Sequence, residues 1–356
     1  MDPEQLATVE ASDLAADLRE GRVRAEAVMR ATLERIGAVN PQVNAIVSLR
    51  DAGVLMEEAR AADAAGPRGA LHGMPVAIKD LANAAGLPTT QGSPLFRDAV
   101  AARDDIMVAR MRAAGAIVIG KTNTPEFGLG SHTFNPVHGA TRNPYETALS
   151  CGGSSGGAAV ALATGMVALA DGSDMMGSLR NPAAWCNVYG FRPSWGRVPS
   201  EPFADSFLHQ LSTLGPMARS PADLGLLLDV ISGPDPRQPH GVAVEPVSPL
   251  APAAMEGVRI GWLGDWGGAF PMEEGIMALS EAALAEFEAL GAVVEPVAPP
   301  FDADAMWESW TTLRSWTVAA GLAPLADRRA VLKDSAQWEL DRGLALKAME
   351  VHRASV

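Results

Sequence analysis

The sequence predicts an α/β fold, and three observations carry that expectation. Short apolar runs rich in β-branched residues alternate with segments of helical spacing, around residues 76–119 and again at 258–297, as strands and helices stacked in layers do. The chain has 356 residues, 48% of them in the hydrophobic set and 20% charged, so a large core can form without cross-links. Its cysteines, Cys151 and Cys186, are too few for a disulfide framework or a four-ligand zinc site, which points to a reducing compartment and the cytoplasm. The length suits two lobes or one large domain.

The elements follow in order. Residues 12–36 have helical spacing, with Val28, Met29, Leu33 and Ile36 on one face and Pro41 as the expected stop. Gly73-Met-Pro introduces a buried strand at 76–78 that runs directly into Lys79-Asp80. Residues 105–114 read as a helix ended by Gly115, 116–119 as a second buried strand, and Gly120-Lys121-Thr122 as the start of a loop. From 134 to 157 the density of Gly, Asn, Pro and Ser predicts irregular backbone, and long irregular stretches in compact domains are commonly functional. Residues 157–169, rich in Ala and Val, predict a central buried helix that 166–171 continues. Residues 234–254, rich in proline, read as a linker or surface excursion. A strand at 258–263, a helix at 272–290 and a strand at 292–297 complete a βαβ-like unit.

Charge and hydropathy exclude several classes. The formal net charge is −14, from 28 basic and 42 acidic side chains, with no Lys/Arg cluster, so neither nucleic acid nor an anionic membrane is an expected partner. The apolar run at 158–170 falls short of the roughly 20 residues that span a bilayer. The start, Met1-Asp-Pro-Glu-Gln, lacks the basic and apolar regions of a signal peptide.

Three motifs compete for the middle of the chain. Gly115-Ala-Ile-Val-Ile-Gly-Lys-Thr122 fits the phosphate-loop pattern letter for letter. That motif needs a strand before its first glycine and a flexible loop between the glycines, whereas here the intervening residues are themselves the strand. Gly152 to Gly156, with Ser154, and Gly153 to Gly157, with Ser155, fit a nucleophile elbow. An elbow must follow a strand, which Arg142-Asn-Pro-Tyr-Glu-Thr-Ala-Leu-Ser150 is not, and the downstream His209, His240 and His352 stand in no motif.

The third match is longer: Val76-Ala-Ile-Lys79-Asp80, then Cys151-Gly-Gly-Ser154-Ser155-Gly-Gly157, then Asp171-Gly-Ser-Asp174-Met-Met-Gly177-Ser178-Leu-Arg180-Asn-Pro182. Gly120-Lys-Thr-Asn-Thr-Pro-Glu126-Phe, Thr141-Arg-Asn-Pro144, Tyr189-Gly-Phe-Arg-Pro193, Gly196-Arg-Val198 and Gly215-Pro-Met-Ala-Arg219 accompany it in order. This set resembles the amidase signature family, hydrolases with a Ser-Ser-Lys triad. The resemblance implies a mixed β-sheet core covered by helices, with residues 1–235 as the catalytic core and 236–356 as a partial, truncated C-terminal α/β portion. It further implies Lys79 as the base, Ser154 as a relay serine held across a cis peptide, and Ser178 as the nucleophile.

Those residue types suit the chemistry. A serine hydroxyl attacks only when a neighbour takes its proton, and lysine can do so once burial and neighbouring charge bring its pKa from about 10.4 to roughly 7–8. By the same resemblance the backbone N–H groups of Met175, Met176, Gly177 and Ser178 form an oxyanion hole. Ser155 is expected to support the relay by hydrogen bonding, and Asp174 and Arg180 to form a structural ion pair. Cys151 and Cys186 are expected as packed free thiols. The implied substrate is a small-molecule amide, with no metal and no organic cofactor.

Two departures from the family's pattern stand out. The first of its usual two glycines before the nucleophile is Met176 here, which is strained if that position needs φ > 0 and otherwise narrows the pocket. The resemblance further implies a C-terminal sheet segment that is not expected within these 356 residues, and an uncovered sheet edge and apolar patch would favour association, a homodimer for instance. Alternative readings are a catalytically impaired paralogue serving as a binding or scaffold protein, and the glutamine-hydrolysing component of a tRNA-dependent amidotransferase. Phe134, Trp185 and Phe203 lie near the motifs as pocket candidates, without an assigned role.

Overall fold

The computed structural model describes residues 1–202, 208 and 210–356; Phe203 and His209 therefore lie outside the described residues. In chain order the elements are α1 (Pro3–Thr8), α2 (Ala11–Arg19), α3 (Ala25–Val43), β1 (Ile46–Val47), α4 (Ala52–Ala65), β2 (Pro75–Lys79), α5 (Ile106–Ala113) and β3 (Ile117–Thr122). Then come β4 (Phe134–Asn135), β5 (Gly139–Ala140), α6 (Gly156–Ala163), β6 (Leu169–Asp174), α7 (Arg180–Trp185), β7 (Tyr189–Gly190), β8 (Thr213–Ala218) and α8 (Pro221–Ile231). The last are β9 (Arg259–Trp262), α9 (Ile276–Ala289), β10 (Val293–Pro296), α10 (Ala303–Leu322), α11 (Asp334–Ala345) and α12 (Ala348–Ser355).

Two compact units emerge. The first comprises Met1–Leu250 with Asp327–Ala336, the second Ala251–Ala326 with Gln337–Val356. The first unit is built on a six-stranded mixed sheet in the order β1-β3-β2-β6-β8-β7. β2 runs parallel to both β3 and β6, whereas β1 is antiparallel to β3, and β8 is antiparallel to β6 and β7. Every residue of β2 and β3 is buried, which explains why both read as unbroken apolar runs rather than alternating ones. α6 is composed only of Gly, Ala, Val and Leu, and all its residues up to Leu162 are buried. It packs against β2, β3, β6 and β8, so it is the central helix expected of a segment without charge.

Several boundaries differ from the sequence expectation. Residues 12–36 are split between α2 and α3, and α3 passes through Pro41 before ending at Asn44, whose φ of 52° is left-handed. β3 continues through Gly120-Lys121-Thr122, which places Lys121 inside the sheet rather than in a loop. The central helix stops at Ala163, and residues 169–174 are strand β6 rather than its continuation. Gly165 makes that turn at φ 68°, a conformation that side chains with a Cβ rarely adopt.

The second unit contains the expected βαβ arrangement, with β9 and β10 parallel and Val293 opposite Arg259. α9 begins at Ile276, after Gly275 at φ 87°, and none of its residues is buried. α10 packs on α12, and its buried residues include Val318, Ala319 and Leu322. Buried Glu339 accepts a hydrogen bond from Ser315 Oγ at 2.7 Å and pairs with Arg314. Among the described residues no helix is long and apolar enough to cross a membrane.

Candidate active site

β2 and β6 touch at one register pair, Ala77 with Ala170, and then part. The space opened at their C-terminal ends holds the candidate residues. Lys79 is the last residue of β2 and is 1% exposed. Its Nζ lies 2.8 Å from Ser154 Oγ, 2.8 Å from Ser155 Oγ and 3.0 Å from Ser173 Oγ. Among the described residues no carboxylate forms an ion pair with this Nζ. Three hydroxyls around one amine suit its neutral form, which donates two protons and keeps a lone pair for a third partner.

Ser154 and Ser155 enter from the loop before α6, and the Gly153–Ser154 peptide is cis. Ser155 is the N-cap residue of α6, so the lysine amine stands at the positive end of a helix dipole, which opposes a further positive charge there. Burial is the larger effect and brings the Lys79 pKa from 10.5 to about 7, against the opposing charges of Asp171 and Asp174. Ser155 contacts the lysine and β6 rather than Ser154: its Oγ also accepts from Ser173 N–H at 3.4 Å. Gly128 closes one side of Ser154, since a Cβ built there would lie 3.6 Å from Ser154 Oγ and 2.8 Å from a Leu81 methyl carbon.

Ser178 follows β6 on the turn that leads to α7. Its carbonyl accepts the Ser155 N–H at 3.1 Å, which ties this turn to the Ser154-Ser155 loop. The Ser178 hydroxyl makes no hydrogen bond to another described residue, so the structure brings Lys79, Ser154 and Ser155 into direct contact and leaves Ser178 beside them. Gly177, at φ 97°, takes the left-handed position of the turn. Met176 does not, so the methionine carries no backbone strain; its side chain is half exposed.

Asp174 organises the turn. Its carboxylate accepts from Gly177 N–H at 2.7 Å and Leu179 N–H at 3.1 Å, and it pairs with Arg180 at 3.0 Å, as expected. Arg192 adds a contact at 2.9 Å and also holds the carbonyls of Asp174 and Met175. Burial alone would raise the Asp174 pKa, but these donors outweigh it and hold the carboxyl well below the usual range. One correction follows for the oxyanion donors. The Gly177 N–H is engaged by Asp174, whereas the N–H groups of Met175, Met176 and Ser178 are not engaged by another described residue.

Sequence reasoning missed Ser173, Arg192 and Asp171. Arg192 stood in the Tyr189-to-Pro193 block without a role. Ser173 and Asp171 lay in or beside a stretch read as helix. Cys151 and Cys186 are buried free thiols, and burial pushes the Cys151 pKa up to about 12 and that of Cys186 up as well. Trp185 tilts against His132 with ring centroids 5.7 Å apart, beside Gly152; Phe134 is exposed. Among the described residues no group of His, Cys, Asp and Glu is placed to hold a metal ion.

The chain is similar to known proteins along most of its length. A family model described as Amidase matches residues 27–339. An acylamidase of Rhodococcus erythropolis is 36% identical over 317 residues, which cover 86% of this chain and 65% of the relative. The A component of the glutamyl-tRNA(Gln) amidotransferase of Thermus thermophilus is 39% identical over 296 residues, 82% of this chain and 60% of the relative. An indoleacetamide hydrolase of Bradyrhizobium diazoefficiens is 37% identical over 314 residues, 84% and 58% respectively. The chain thus spans 58–65% of the length of these relatives. Among solved structures, a bacterial aryl acylamidase of the amidase signature enzymes superposes with TM-score 0.90 at 29% identity, over 97% of this chain and 74% of that one. A 6-aminohexanoate cyclic dimer hydrolase superposes with TM-score 0.85 at 27% identity, over 98% and 74%.

Proposed function

The chain belongs to the amidase signature family, and from that premise we propose that it hydrolyses a small-molecule carboxylic amide to a carboxylate and ammonia through an acyl-Ser178 intermediate. The observation that carries the reading is the neutral-leaning Lys79 amine 2.8 Å from Ser154 Oγ. Lys79 takes a proton from Ser154, Ser154 takes one from Ser178, and the Ser178 oxygen bonds to the amide carbon. The resulting oxyanion is held by the Met175, Met176 and Ser178 N–H groups. The proton returns through Ser154 to the leaving nitrogen, which departs as ammonia, and water attacks the acyl-serine by the same route in reverse. Met176, half exposed on the turn before Ser178, bears on which acyl groups fit.

In this reading residues 1–235 contain the catalytic machinery, the protein is cytoplasmic, and it binds neither nucleic acid nor membrane; a homodimer is compatible with the exposed apolar stripe of α9. Ammonia release from a panel of aliphatic and aryl amides tests the activity. Turnover that survives Ser178→Ala would sink the assignment of the nucleophile.

A second reading is favoured by one observation, the 39% identity to the A component of a glutamyl-tRNA(Gln) amidotransferase. In it the same site hydrolyses glutamine and passes the ammonia to a partner protein. Co-purification of a second polypeptide, together with glutamine preferred over simple amides, separates the two readings. No turnover, no labelling of Ser178 by a serine-reactive probe and a well-folded oligomer would instead favour a scaffold role.

A further inference from the structure

The sheet carries a buried carboxylate that the reaction above does not use. Asp171, on β6, is 1% exposed. On β2, backbone N–H groups turn alternately to either neighbour. The Asp80 N–H, just past its end, turns to Thr122 O on β3 at 3.0 Å, and the Lys79 N–H faces the other way, toward β6. Past the Ala77–Ala170 pair the two strands have separated. What receives the Lys79 N–H there is the Asp171 carboxylate, Oδ1, at 3.0 Å.

We propose that Asp171 is a positioning residue for Lys79: its carboxylate replaces the missing strand partner across the gap between β2 and β6, fixes the backbone of the lysine, and sets how readily the amine carries a proton. The proposal rests on Lys79 being the base. Strands that stayed paired would leave no room for the serines, whereas strands that parted without a bridge would leave a buried N–H unpaired, which is costly. A side-chain acceptor resolves the conflict, and a carboxylate does so while adding a charge near the amine.

The charged groups around this pair are few. Lys121 reaches from β3, Asp80 follows Lys79, Asp174 ends β6, and Asp105 acts on Lys121. α6 and β8, which also pack here, contribute no titratable side chain. Burial raises the Asp171 pKa to about 6, while the Lys79 N–H and the charges of Lys121 and Lys79 oppose that rise. Asp171 therefore gains its charge just below the range in which Lys79 loses its own.

The chain has four lysines, Lys79, Lys121, Lys333 and Lys347, so ¹³Cε-lysine NMR resolves each one, with assignment by Lys→Arg variants. In the wild type the Lys79 signal should show two inflections, one near pH 6 from Asp171 and one near pH 7 of its own. Asp171→Asn retains an acceptor for the N–H but removes the charge, so the Lys79 midpoint should fall by about one pH unit, with the acidic limb of the pH–rate profile following it. Asp171→Ala removes both and should lower kcat as well, with Asn rescuing kcat but not the pH shift. A Lys79 midpoint unchanged in Asp171→Asn overturns the proposal. If that variant does not fold, Asp171→Ser, which also keeps an acceptor and loses the charge, takes its place, and an unchanged Lys79 midpoint there overturns the proposal. A wild-type Lys79 midpoint near 10.5 instead overturns the base assignment, while the shift between wild type and Asp171→Asn still reports on Asp171.

Discussion

Lys79 and Lys121 sit on adjacent strands one position apart in register, both at 1% exposure or less, yet their surroundings differ in kind. The close partners of the Lys79 amine are hydroxyls, those of Ser154, Ser155 and Ser173. Lys121 meets the Ala82 carbonyl at 2.5 Å, Thr89 Oγ1 at 3.1 Å and the Asp80 carboxylate at 3.7 Å. Burial lowers both pKa values, and at Lys121 the charge of Asp80 is the largest effect acting against it. A hydroxyl can donate to a neutral amine or accept from an ammonium, whereas a carboxylate favours the ammonium. One lysine is thus ringed by hydroxyls that can pass a proton, whereas the other lies against a backbone carbonyl and a buried carboxylate.

The largest effect that could break this contrast is loss of catalysis. Lys79→Ala and Ser178→Ala should each lower kcat/KM for amide hydrolysis by at least about a thousandfold, because the proposed base and nucleophile act as a unit. Circular dichroism and a urea midpoint on the same samples establish that the variants are folded. Lys121→Met should behave differently. It leaves Asp80 buried without its cation, which costs about 3–5 kcal/mol of stability, while activity per folded molecule stays within a few-fold of wild type. Pairing it with Asp80→Asn should restore part of the urea midpoint. A stable but inactive Lys121→Met would erase the distinction between the two lysines.

The pH dependence sharpens it. In the proposed mechanism the reacting form of Lys79 is the neutral one, so activity should be greatest above its value of about 7. Below that, kcat/KM should fall about tenfold per pH unit. The same shift has a stability consequence with a defined sign. Between about 7 and 10.5 the unfolded chain holds the Lys79 proton and the folded chain does not, so this group's contribution to stability rises with pH across that window. Urea midpoints at about pH 7 and about pH 9 for wild type and Lys79→Met measure it; a difference between the two proteins that does not change with pH contradicts the buried, shifted lysine.

How much of this the sequence disclosed depends on the range of each interaction. The Lys79 strand end, the paired serines and the Asp174-to-Ser178 turn are local patterns, and so were legible with their blocks. The α/β class and the βαβ unit were legible from periodicity. Asp171 and Ser173 were not, because a short Gly-Ala run reads equally as buried helix or buried strand. Only the sheet register shows that residues 92 and 94 positions beyond Lys79 return to touch it. Arg192 is a similar case: its partner Asp174 is 18 residues away, too far for any helical or strand spacing to suggest the pair.

The smallest effects concern the two residues before Ser178, the proposed nucleophile, and here neighbouring positions should respond in opposite ways. Gly177 has a φ of 97°, and a Cβ there would come within 2.6 Å of Asn181 Oδ1. Gly177→Ala should therefore cost about 1–2 kcal/mol from backbone conformation alone, and displacement of the Asn181 side chain adds to it. Met176 occupies an ordinary φ with an exposed side chain, so its substitution releases no strain. Met176→Gly should lower stability by about 0.5–1 kcal/mol through the greater freedom of the unfolded chain. Because the half-exposed side chain stands on the turn before Ser178 while the backbone N–H is retained, the kinetic change should fall on KM and on the preferred acyl group, with kcat for small amides nearly constant. A Met176→Gly protein more stable than wild type would mean that the methionine is strained after all, and would place the left-handed position of this turn at residue 176 instead of 177.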